Sequence, residues 1–351
     1  MANIWDRLQN LWNKARAGET RTPACFSIKA EDGNPFSPRQ HYFQIVINEM
    51  FLANEREWFV TYSPMAFVAA TYIYNNKRET SPFIVGPSML KDYGQELPQG
   101  MIFRNTPVTS LHPYQGGELI LTVILYKVQR KNNVDNVLKV LEKVSSVINP
   151  AIPTIDFSSY LKIADNIMDG VETLLELEET VPVVGYRLTI NPDIGQRLEP
   201  TYMVVIDSDE REIKKDEFLV RESRLHRGSQ PYRGEDFVLL KIAQGDRRTD
   251  EQTLPFYPLW VATREMATRS ANDHIWDEAK AHFKTLNRAL LNSPDLTEPD
   301  YDRLSDDYLA EVKEQRERAV ALSSLRASSE LSEEEVRARR IAQELDELDE
   351  L

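Results

Sequence analysis

An abrupt change of hydrophobic period marks residues 116–148. After two glycines, residues 119–128 are almost wholly apolar, so both faces of a strand here would be apolar. A strand of this kind is buried on both sides, which requires a layer of structure over each face. From residue 134 to 148, apolar side chains recur at steps of three and four. This spacing predicts an amphipathic helix directly after the buried strand.

The segments around this pair have the composition of β-structure. Residues 23–110 contain β-branched and aromatic runs, including 41–48, 58–62 and 65–74, separated by Pro and Gly. A second amphipathic helix is expected after Ser158, and β-structure is expected again from Val183, after Pro182. We therefore predict an α+β fold: an antiparallel β-sandwich-like unit over residues 21–262, with a two-helix insertion at about 133–178.

The first twenty residues form a separate short segment. Apolar residues at steps of three and four, among them Trp5, Leu8 and Trp12, predict an amphipathic helix. This helix can dock on its own domain or on a neighbouring subunit. Alternatively, its two tryptophans and nearby basic residues permit binding to a membrane surface.

The C-terminal region, residues 263–351, is predicted to be a helical arm. A capping-box pattern at Ser332 predicts the start of a last helix, whose apolar residues include Ile341, Leu345 and Leu348. Residues 295–351 contain 18 acidic and 8 basic residues, so most of the net charge of −14 lies there. An acidic arm disfavours nucleic acid as a partner, because nucleic acid is itself a polyanion.

The sequence argues against several compartments and cofactors. The single Cys25 cannot form an intramolecular disulfide, and no segment resembles a signal peptide or approaches about 20 apolar residues. We therefore expect a cytoplasmic protein. No P-loop, no Gly-x-Gly-x-x-Gly and no Gly-x-Ser-x-Gly motif occurs, so we expect no nucleotide cofactor and no serine-hydrolase elbow.

The remaining candidates for chemistry are scattered along the chain. The five histidines are too dispersed to predict a metal site. A nucleophilic pair of Cys25 with His41 or His112 is an alternative to a buried structural thiol. A hydrolase assembled from Cys25, His112 or Asp207 is a further alternative, because such a site leaves no local motif.

Acidic residues follow a predicted strand at 207–210. Together with Asp236 and Asp246 they could ligate calcium at one end of a sandwich. This arrangement loosely resembles C2 modules, although no C2 motif matches residue by residue. The alternative is a solvated hairpin turn, because Asp and Ser are common turn residues and Lys214 and Lys215 would oppose a cation.

Four arginines fall between two predicted strands: Arg221, Arg224, Arg227 and Arg233. They are either a solvated loop or a patch that grips an acidic partner, including the acidic segment 330–351 of this chain.

These observations favour a non-enzymatic adaptor or assembly subunit. We expect it to bind a protein partner, or a second copy of itself, through its terminal helices. The alternatives are a peripheral membrane-binding module that uses the tryptophans of the first helix, and a hydrolase whose site the sequence does not reveal.

Overall fold

The chain forms two compact units, Met1–Thr253 with Pro294–Thr297 and Leu254–Ser293 with Glu298–Leu351. The computed structural model describes residues 4–17, 23–30, 34–54, 56–57, 60–86, 94–97, 100–129, 157–175 and 180–349. The first unit contains the β-structure and the second is helical.

Three antiparallel sheets are present in the described part of the first unit. Their strands are β1 (Pro23–Lys29), β2 (Tyr42–Phe51), β3 (Arg56–Glu57), β4 (Val60–Tyr74), β5 (Lys77–Val85), β6 (Gly94–Leu97), β7 (Gly100–Pro107), β8 (His112–Pro113), β9 (Leu119–Gln129), β10 (Thr180–Ile190), β11 (Thr201–Asp209), β12 (Phe218–Arg221), β13 (Arg224–Arg227), β14 (Gln230–Pro231) and β15 (Phe237–Gly245). Sheet I has the order β1-β11-β15-β2-β7-β6, with β8 beside β2. Sheet II has the order β10-β9-β4-β3, with β5 beside β4, and sheet III is β12-β13-β14.

Sheets I and II share one apolar core. Alternate residues of β2 and β15 in sheet I, such as Ile45 and Leu240, lie in one cluster with Val68, Leu121 and Val123 of sheet II. Two sheets that bury their facing sides against each other form a sandwich. The predicted α+β fold with sandwich-like sheets and a C-terminal helix is therefore confirmed.

Strand β9 is buried on both faces, as predicted from its apolar run. Leu121 and Leu125 face the core between the sheets, whereas Ile124, Tyr126 and Val128 belong to a cluster on the outer side of sheet II. The predicted helix at 134–148 lies outside the described residues.

Two helices cover the outer side of sheet II. Helix α1 (Ile4–Arg16) contributes Leu8 and Leu11, and helix α2 (Phe157–Leu175) contributes Ile167 and Val171. The second predicted helix of the insertion is thus present, on the sheet face that needed a cover. The amphipathic helix predicted at the N-terminus is α1, and it packs against its own unit.

Sheet III covers the outer side of sheet I. Phe218, Leu225 and Tyr232 pack there against Phe51 and Phe237. The Phe51 and Phe237 rings are stacked with centroids 5.6 Å apart. Both sheets of the sandwich therefore have a second layer, one made of helices and one made of strands.

Three prolines lie inside strands: Pro64 in β4, Pro82 in β5 and Pro182 in β10. Strand β10 begins at Thr180 rather than after Pro182, and a register shift against β9 falls between Pro182 and Val184. Strand β4 runs unbroken through Pro64, which pairs with Lys127 of β9. Proline has no backbone N–H to donate to a neighbouring strand. It is tolerated at a bulge, or at a position where the strand has a neighbour on one side only.

The second unit contains three helices in its described residues: α3 (Tyr257–Thr268), α4 (Asp273–Leu291) and α5 (Glu298–Asp349). Helix α3 begins six residues before the expected start of the helical region, with Pro258 in its first turn, where the missing N–H costs nothing. The rings of Trp260 and Tyr308 stack at 4.0 Å between centroids. The Asn272 side chain caps α4 by accepting a hydrogen bond from the N–H of Ile275 at 2.9 Å.

Helix α5 is continuous, so the separate helix predicted to start at Ser332 is wrong. After Pro299 the sequence contains neither Gly nor Pro, and the serines before 332 only weakly disfavour a helix interior. A capping-box pattern alone does not interrupt a helix that has no other terminating residue. None of the helices within the described residues is both long and apolar enough to cross a membrane.

Candidate interaction surfaces

The candidate residues of α1 are divided between the core and a half-buried surface. Leu8 is fully buried in the cluster between α1, α2 and sheet II. Trp5 and Trp12 are half-buried and pack against the edge of that cluster. Because the two residues are seven positions apart, they lie on the same side of the helix, two turns apart.

Both indole rings pack against Arg187 of β10. The Arg187 guanidinium carbon lies 5.5 Å from the Trp5 ring centroid and 4.8 Å from that of Trp12. Arg78 lies over the same Trp5 ring at 5.8 Å, and Arg16 lies over Trp12 at 5.3 Å. All four distances are within the range of cation–π attraction. We call these five side chains the arginine–tryptophan ladder.

Arg187 is held at the centre of the ladder by polar contacts. Its Nε donates to the Thr122 hydroxyl at 3.2 Å, and its Nη1 donates to Oε1 of Gln9 at 2.8 Å. Its Nη2 is buried and donates no hydrogen bond. Burial lowers the pKa of the Arg187 guanidinium from its usual value. The cation is therefore stabilised by aromatic faces and neutral acceptors, because no carboxylate in the described residues pairs with it.

The other edge of α1 carries a conventional ion-pair cluster. Arg7 lies 3.0 Å from Glu172, 2.6 Å from Asp169 and 3.6 Å from Asp165, all on α2. The hydrogen bond with Glu172 is the main cause of the raised pKa of the Arg7 guanidinium. These ion pairs join the two helices that cover sheet II.

The arginines predicted between two strands lie on and beside sheet III, and two of them turn inward. Arg233 Nη2 lies 2.8 Å and Arg224 Nε 3.8 Å from Oε1 of Glu49, a fully buried residue of β2. The other Glu49 oxygen accepts a 2.8 Å hydrogen bond from the N–H of Leu225. Burial raises the pKa of the Glu49 carboxyl, against the opposing effects of Leu225 and the two arginines.

A β-bulge places Glu49 under sheet III. Ile47 and Met50 both face the core between the sheets, although three positions separate them. The register of β2 shifts between Ile47 and Glu49 against β7, and it also shifts against β15. The extra residue moves Glu49 to the outer face, where the arginines of sheet III can reach it.

The other two arginines of this region are at the surface. Arg227 donates from Nε to Oε2 of Glu217 at 2.7 Å, and that contact is the main cause of the lowered pKa of the Glu217 carboxyl. Arg221 is exposed and has no ion pair within the described residues. Three of the four arginines are therefore already paired with carboxylates of their own unit.

Cys25 is not placed to act as a nucleophile. Burial raises the pKa of its thiol to about 12, so the thiol stays protonated near neutral pH. His112 lies on β8, four strands away from β1 in sheet I, which corresponds to about 19 Å at the usual strand spacing. His41 accepts a hydrogen bond at Nδ1 from the N–H of Ser37 at 3.0 Å.

His112 belongs to a polar cluster that the sequence did not reveal. Its Nε2 lies 2.7 Å from the Tyr72 hydroxyl, which is 2.9 Å from Oγ of Ser81. Burial is the main reason why the pKa of the His112 imidazole is lowered to about 3, so the ring is neutral. A neutral imidazole packed 4.6 Å from the Tyr72 ring is typical of a structural histidine.

Two hydrogen bonds within the first unit attach residues 294–297 to the sandwich. The Tyr74 hydroxyl donates to Oδ1 of Asp295 at 2.9 Å, and the Thr297 N–H donates to the Tyr42 hydroxyl at 3.1 Å. Burial raises the pKa of the Asp295 carboxyl. The positive charge of Arg248 is the main opposing effect on this pKa. These partners are more than 200 residues apart in the chain, so no local pattern could have shown them.

Three of the acidic residues considered for calcium have other partners. Asp209 accepts two hydrogen bonds from the Arg211 guanidinium, Glu210 pairs with Lys215 at 2.9 Å, and Asp236 accepts from the N–H of Ala53. Within the described residues, no group of three or more His, Cys, Asp or Glu side chains is arranged to hold a metal ion.

The candidate residues Ile341, Leu345 and Leu348 lie within α5. Earlier in the same helix, Leu322 and Leu325 are 62% and 64% exposed. Comparisons with protein-family models, with curated proteins and with solved structures find no significant match for this chain.

Proposed function

We propose that this protein is a non-enzymatic, cytoplasmic adaptor or assembly subunit that binds a protein partner through helix α5. The observation that carries this proposal is the pair of exposed leucines, Leu322 and Leu325, on a helix that continues to Asp349. Apolar side chains exposed along a charged helix are typical of an element that binds another protein.

The first part of α5 supports this interpretation by contrast. Leu304, Tyr308, Val312 and Ala319 are buried at steps of four, four and seven, as expected for a helix packed in a small bundle. From Ala319 the helix continues for 30 residues, about 45 Å at 1.5 Å per residue. A helix of this length and composition gains little stability from propensity alone, so a bound partner would add most of its stability.

Charge restricts the chemistry of the partner. Residues 327–351 contain nine acidic and three basic residues, so the partner surface should be basic. The positions 341, 345 and 348 follow at steps of four and three, which is the spacing of a helix that binds in a groove.

A membrane-binding function for α1 is the less favoured alternative. Insertion of Trp5 and Trp12 into a bilayer would break their contacts with Arg187, and the rest of the apolar side of the helix is already buried against sheet II. One short helix also binds membranes weakly on its own. Flotation with anionic liposomes distinguishes the two functions, because only the membrane function predicts co-flotation.

The adaptor function is tested by affinity purification from the native host with mass spectrometry. The full chain is compared with a version that ends at Ala319, which keeps residues 294–297 and the buried positions of α5. The double variant Leu322→Ser/Leu325→Ser is compared with Leu309→Ser, a control at an exposed leucine in the bundled part of α5. We expect a stoichiometric partner with the full chain and the control, and its loss with the other two. A partner retained by the version ending at Ala319 would overturn the proposal.

A further inference from the structure

The distal part of α5 carries a sequence repeat along one side of the helix. Positions that alternate at steps of four and three are apolar, apart from one serine and one glutamate. This spacing is the heptad pattern of coiled coils, and it is sustained over four heptads. We call these nine positions the heptad seam: Val320, Ser324, Ala327, Leu331, Glu334, Ala338, Ile341, Leu345 and Leu348.

The heptad seam begins where the packing of α5 in its own bundle ends. Ala319 is buried, whereas every residue from Val320 to Leu325 is exposed. Helical geometry places Leu322 and Leu325, which carry the proposed function, on the opposite side of the helix from the seam. Helix α5 therefore has two separate sets of apolar positions after Ala319.

We propose that the heptad seam pairs with the seam of a second copy of this chain in an antiparallel coiled coil. The inference rests on the proposed function, because it assigns a partner to one side of the same helix. A second copy fits as the occupant because the seam is complementary to itself in this orientation. In the central register, Val320 of one copy lies opposite Leu345 of the other. Ala327 then lies opposite Ala338.

The distribution of charge selects the antiparallel orientation. Residues 341–351 contain five acidic residues and no basic residue. A parallel pair would place this acidic end beside the acidic end of the other copy, where like charges repel. In the antiparallel pair it faces residues 314–324, which contain two acidic and two basic residues. Those two bases, Arg316 and Arg318, have ion pairs in their own chain, so the argument rests on avoided repulsion and needs no free cation.

Two charged residues beside the heptad seam also fit this orientation. Glu330 and Arg337 are one heptad apart on the same flank of the seam, and Arg337 is exposed. In the antiparallel register, Glu330 of one copy lies beside Arg337 of the other, and two-fold symmetry forms this pair twice. In a parallel pair, Glu330 would instead lie beside Glu335 of the other copy. Charges at such flanking positions determine which helices pair and in which orientation.

The first test is the mass of the purified full chain by sedimentation equilibrium. We expect a dimer of 40.5 kDa chains, and a single chain for the version that ends at Ala319. Leu331→Ser/Leu345→Ser should weaken dimerisation about tenfold or more, because it removes apolar residues from the seam. The matched control Leu322→Ser/Leu325→Ser makes the same substitutions on the other side of the helix and should dimerise as the unmodified chain does. A dimer lost in the control but kept in the seam variant would overturn the inference.

The glutamate of the heptad seam allows a test in the opposite direction. Glu334 lies near the centre of the seam, opposite Leu331 of the other copy, where a charged residue reduces the stability of a coiled coil. Glu334→Leu should therefore strengthen dimerisation about tenfold or more. The control Glu333→Leu makes the same change at the preceding position, which is outside the seam, and should leave dimerisation nearly unchanged. Equal effects of the two substitutions would contradict the proposed seam.

A charge-swap experiment tests the orientation. Glu330→Arg and Arg337→Glu should each weaken the dimer, because like charges then meet twice. An equimolar mixture of the two variants restores both ion pairs with their signs exchanged between the copies. Native mass spectrometry of the mixture should show the mixed dimer favoured about tenfold over either homodimer. A Glu330→Arg homodimer that is stronger than the unmodified one would indicate a parallel pair and overturn the inference.

The inference and the proposed function can fail separately. A purified full chain that remains single would exclude self-association and overturn the inference. If α5 of that chain still captures a different protein from the host, the adaptor function holds and only the choice of a second copy fails. A Leu322→Ser/Leu325→Ser variant that dimerises but loses a host partner would support both, because the two sides of α5 would then bind different proteins.

Discussion

The outer apolar faces of the two sandwich sheets are covered by different kinds of structure. Sheet II is covered by helices α1 and α2, and sheet I is covered by the small sheet III. Under sheet III a carboxylate of the sandwich, Glu49, meets arginines of the cover. Under α1 the polarity is reversed, because a cation of the sandwich, Arg187, meets aromatic rings of the cover.

This difference separates a closed polar contact from an open one. Two arginines and a backbone N–H are directed at Glu49 from a cover that stands above it, so this charge is neutralised within the unit. The cation at Arg187 is flanked by further exposed cations at Arg16 and Arg78. The strand cover therefore encloses a paired charge, whereas the helical cover leaves a half-buried cation between aromatic rings.

The largest effect is expected at the closed contact. Glu49→Ala should lower the free energy of unfolding by about 4 kcal/mol, because it removes the buried carboxylate that compensates two half-buried arginines. Urea denaturation followed by circular dichroism measures the loss. The control Glu217→Ala removes a carboxylate that pairs with Arg227 at the surface, and it should leave the free energy of unfolding nearly unchanged. Similar losses for the two variants would contradict the distinction between closed and exposed pairs.

Removal of a core side chain from the helical cover should cost somewhat less. Leu8→Ala creates a cavity between α1 and sheet II, and we expect a loss of about 3 kcal/mol. The same denaturation experiment applies. Asn10→Ala, at an exposed position of α1, should change the free energy of unfolding by less than about 0.5 kcal/mol. A small loss for Leu8→Ala would mean that α1 contributes little to the stability of the unit.

The buried acid should also be visible in the pH dependence of stability. Because burial raises the pKa of Glu49 in the folded state, the folded chain holds this proton at pH values where the unfolded chain has lost it. The contribution of Glu49 is therefore fully present below the unfolded pKa of about 4.3 and is lost as the pH rises through the folded pKa. Through this one group, the free energy of unfolding changes by at most about 1.4 kcal/mol per pH unit.

Glu49→Gln isolates this effect from the other titrating groups. The difference in free energy of unfolding between the unmodified chain and this variant should change in favour of the variant as the pH rises above about 4.3. Denaturant titrations at a series of pH values supply the curve. A difference that does not vary with pH would show that the pKa of Glu49 is the same in the folded and unfolded states.

The smallest effect is expected at the open contact. Arg187→Met removes two cation–π contacts but also removes a buried donor that lacks a hydrogen bond, so we expect a net loss of about 1 kcal/mol. Tryptophan fluorescence should change, because the guanidinium leaves both indole rings. A loss as large as that of Glu49→Ala would mean that Arg187 is a structural residue of the same kind as Glu49.

Local patterns in the sequence predicted most of the secondary structure and the layered fold. The run in β9 required burial on both faces, and the spacing of Leu8 with Trp5 and Trp12 predicted the amphipathic α1. The predicted element boundaries were wrong where the surrounding structure outweighed a local sequence signal. Pro182 did not delay β10, because a bulge accommodates it, and the pattern at Ser332 did not divide α5.

The candidate surfaces were only partly predictable. The two tryptophans were singled out from their spacing on α1, but Arg187 lies on a strand more than 170 residues away, and nothing near it in the sequence indicates an aromatic neighbour. The arginines around sheet III were identified as a group, although their division into inward and outward members depends on Glu49. That acid lies in an apolar run, where a strict alternation would have placed it with Ile47 and the core.

The sequence by itself determined the periods, the turns and the distribution of charge, because these depend on residues close together in the chain. From them follow the double burial of β9, the amphipathic α1 and the acidic end of α5. Only the tertiary structure decided which charges are neutralised. The bulge in β2 brings Glu49 to the arginines of sheet III, and the docking of α1 places two tryptophans around Arg187. Long-range pairing sets these contacts, because a shift of one residue in a strand moves a side chain to the opposite face.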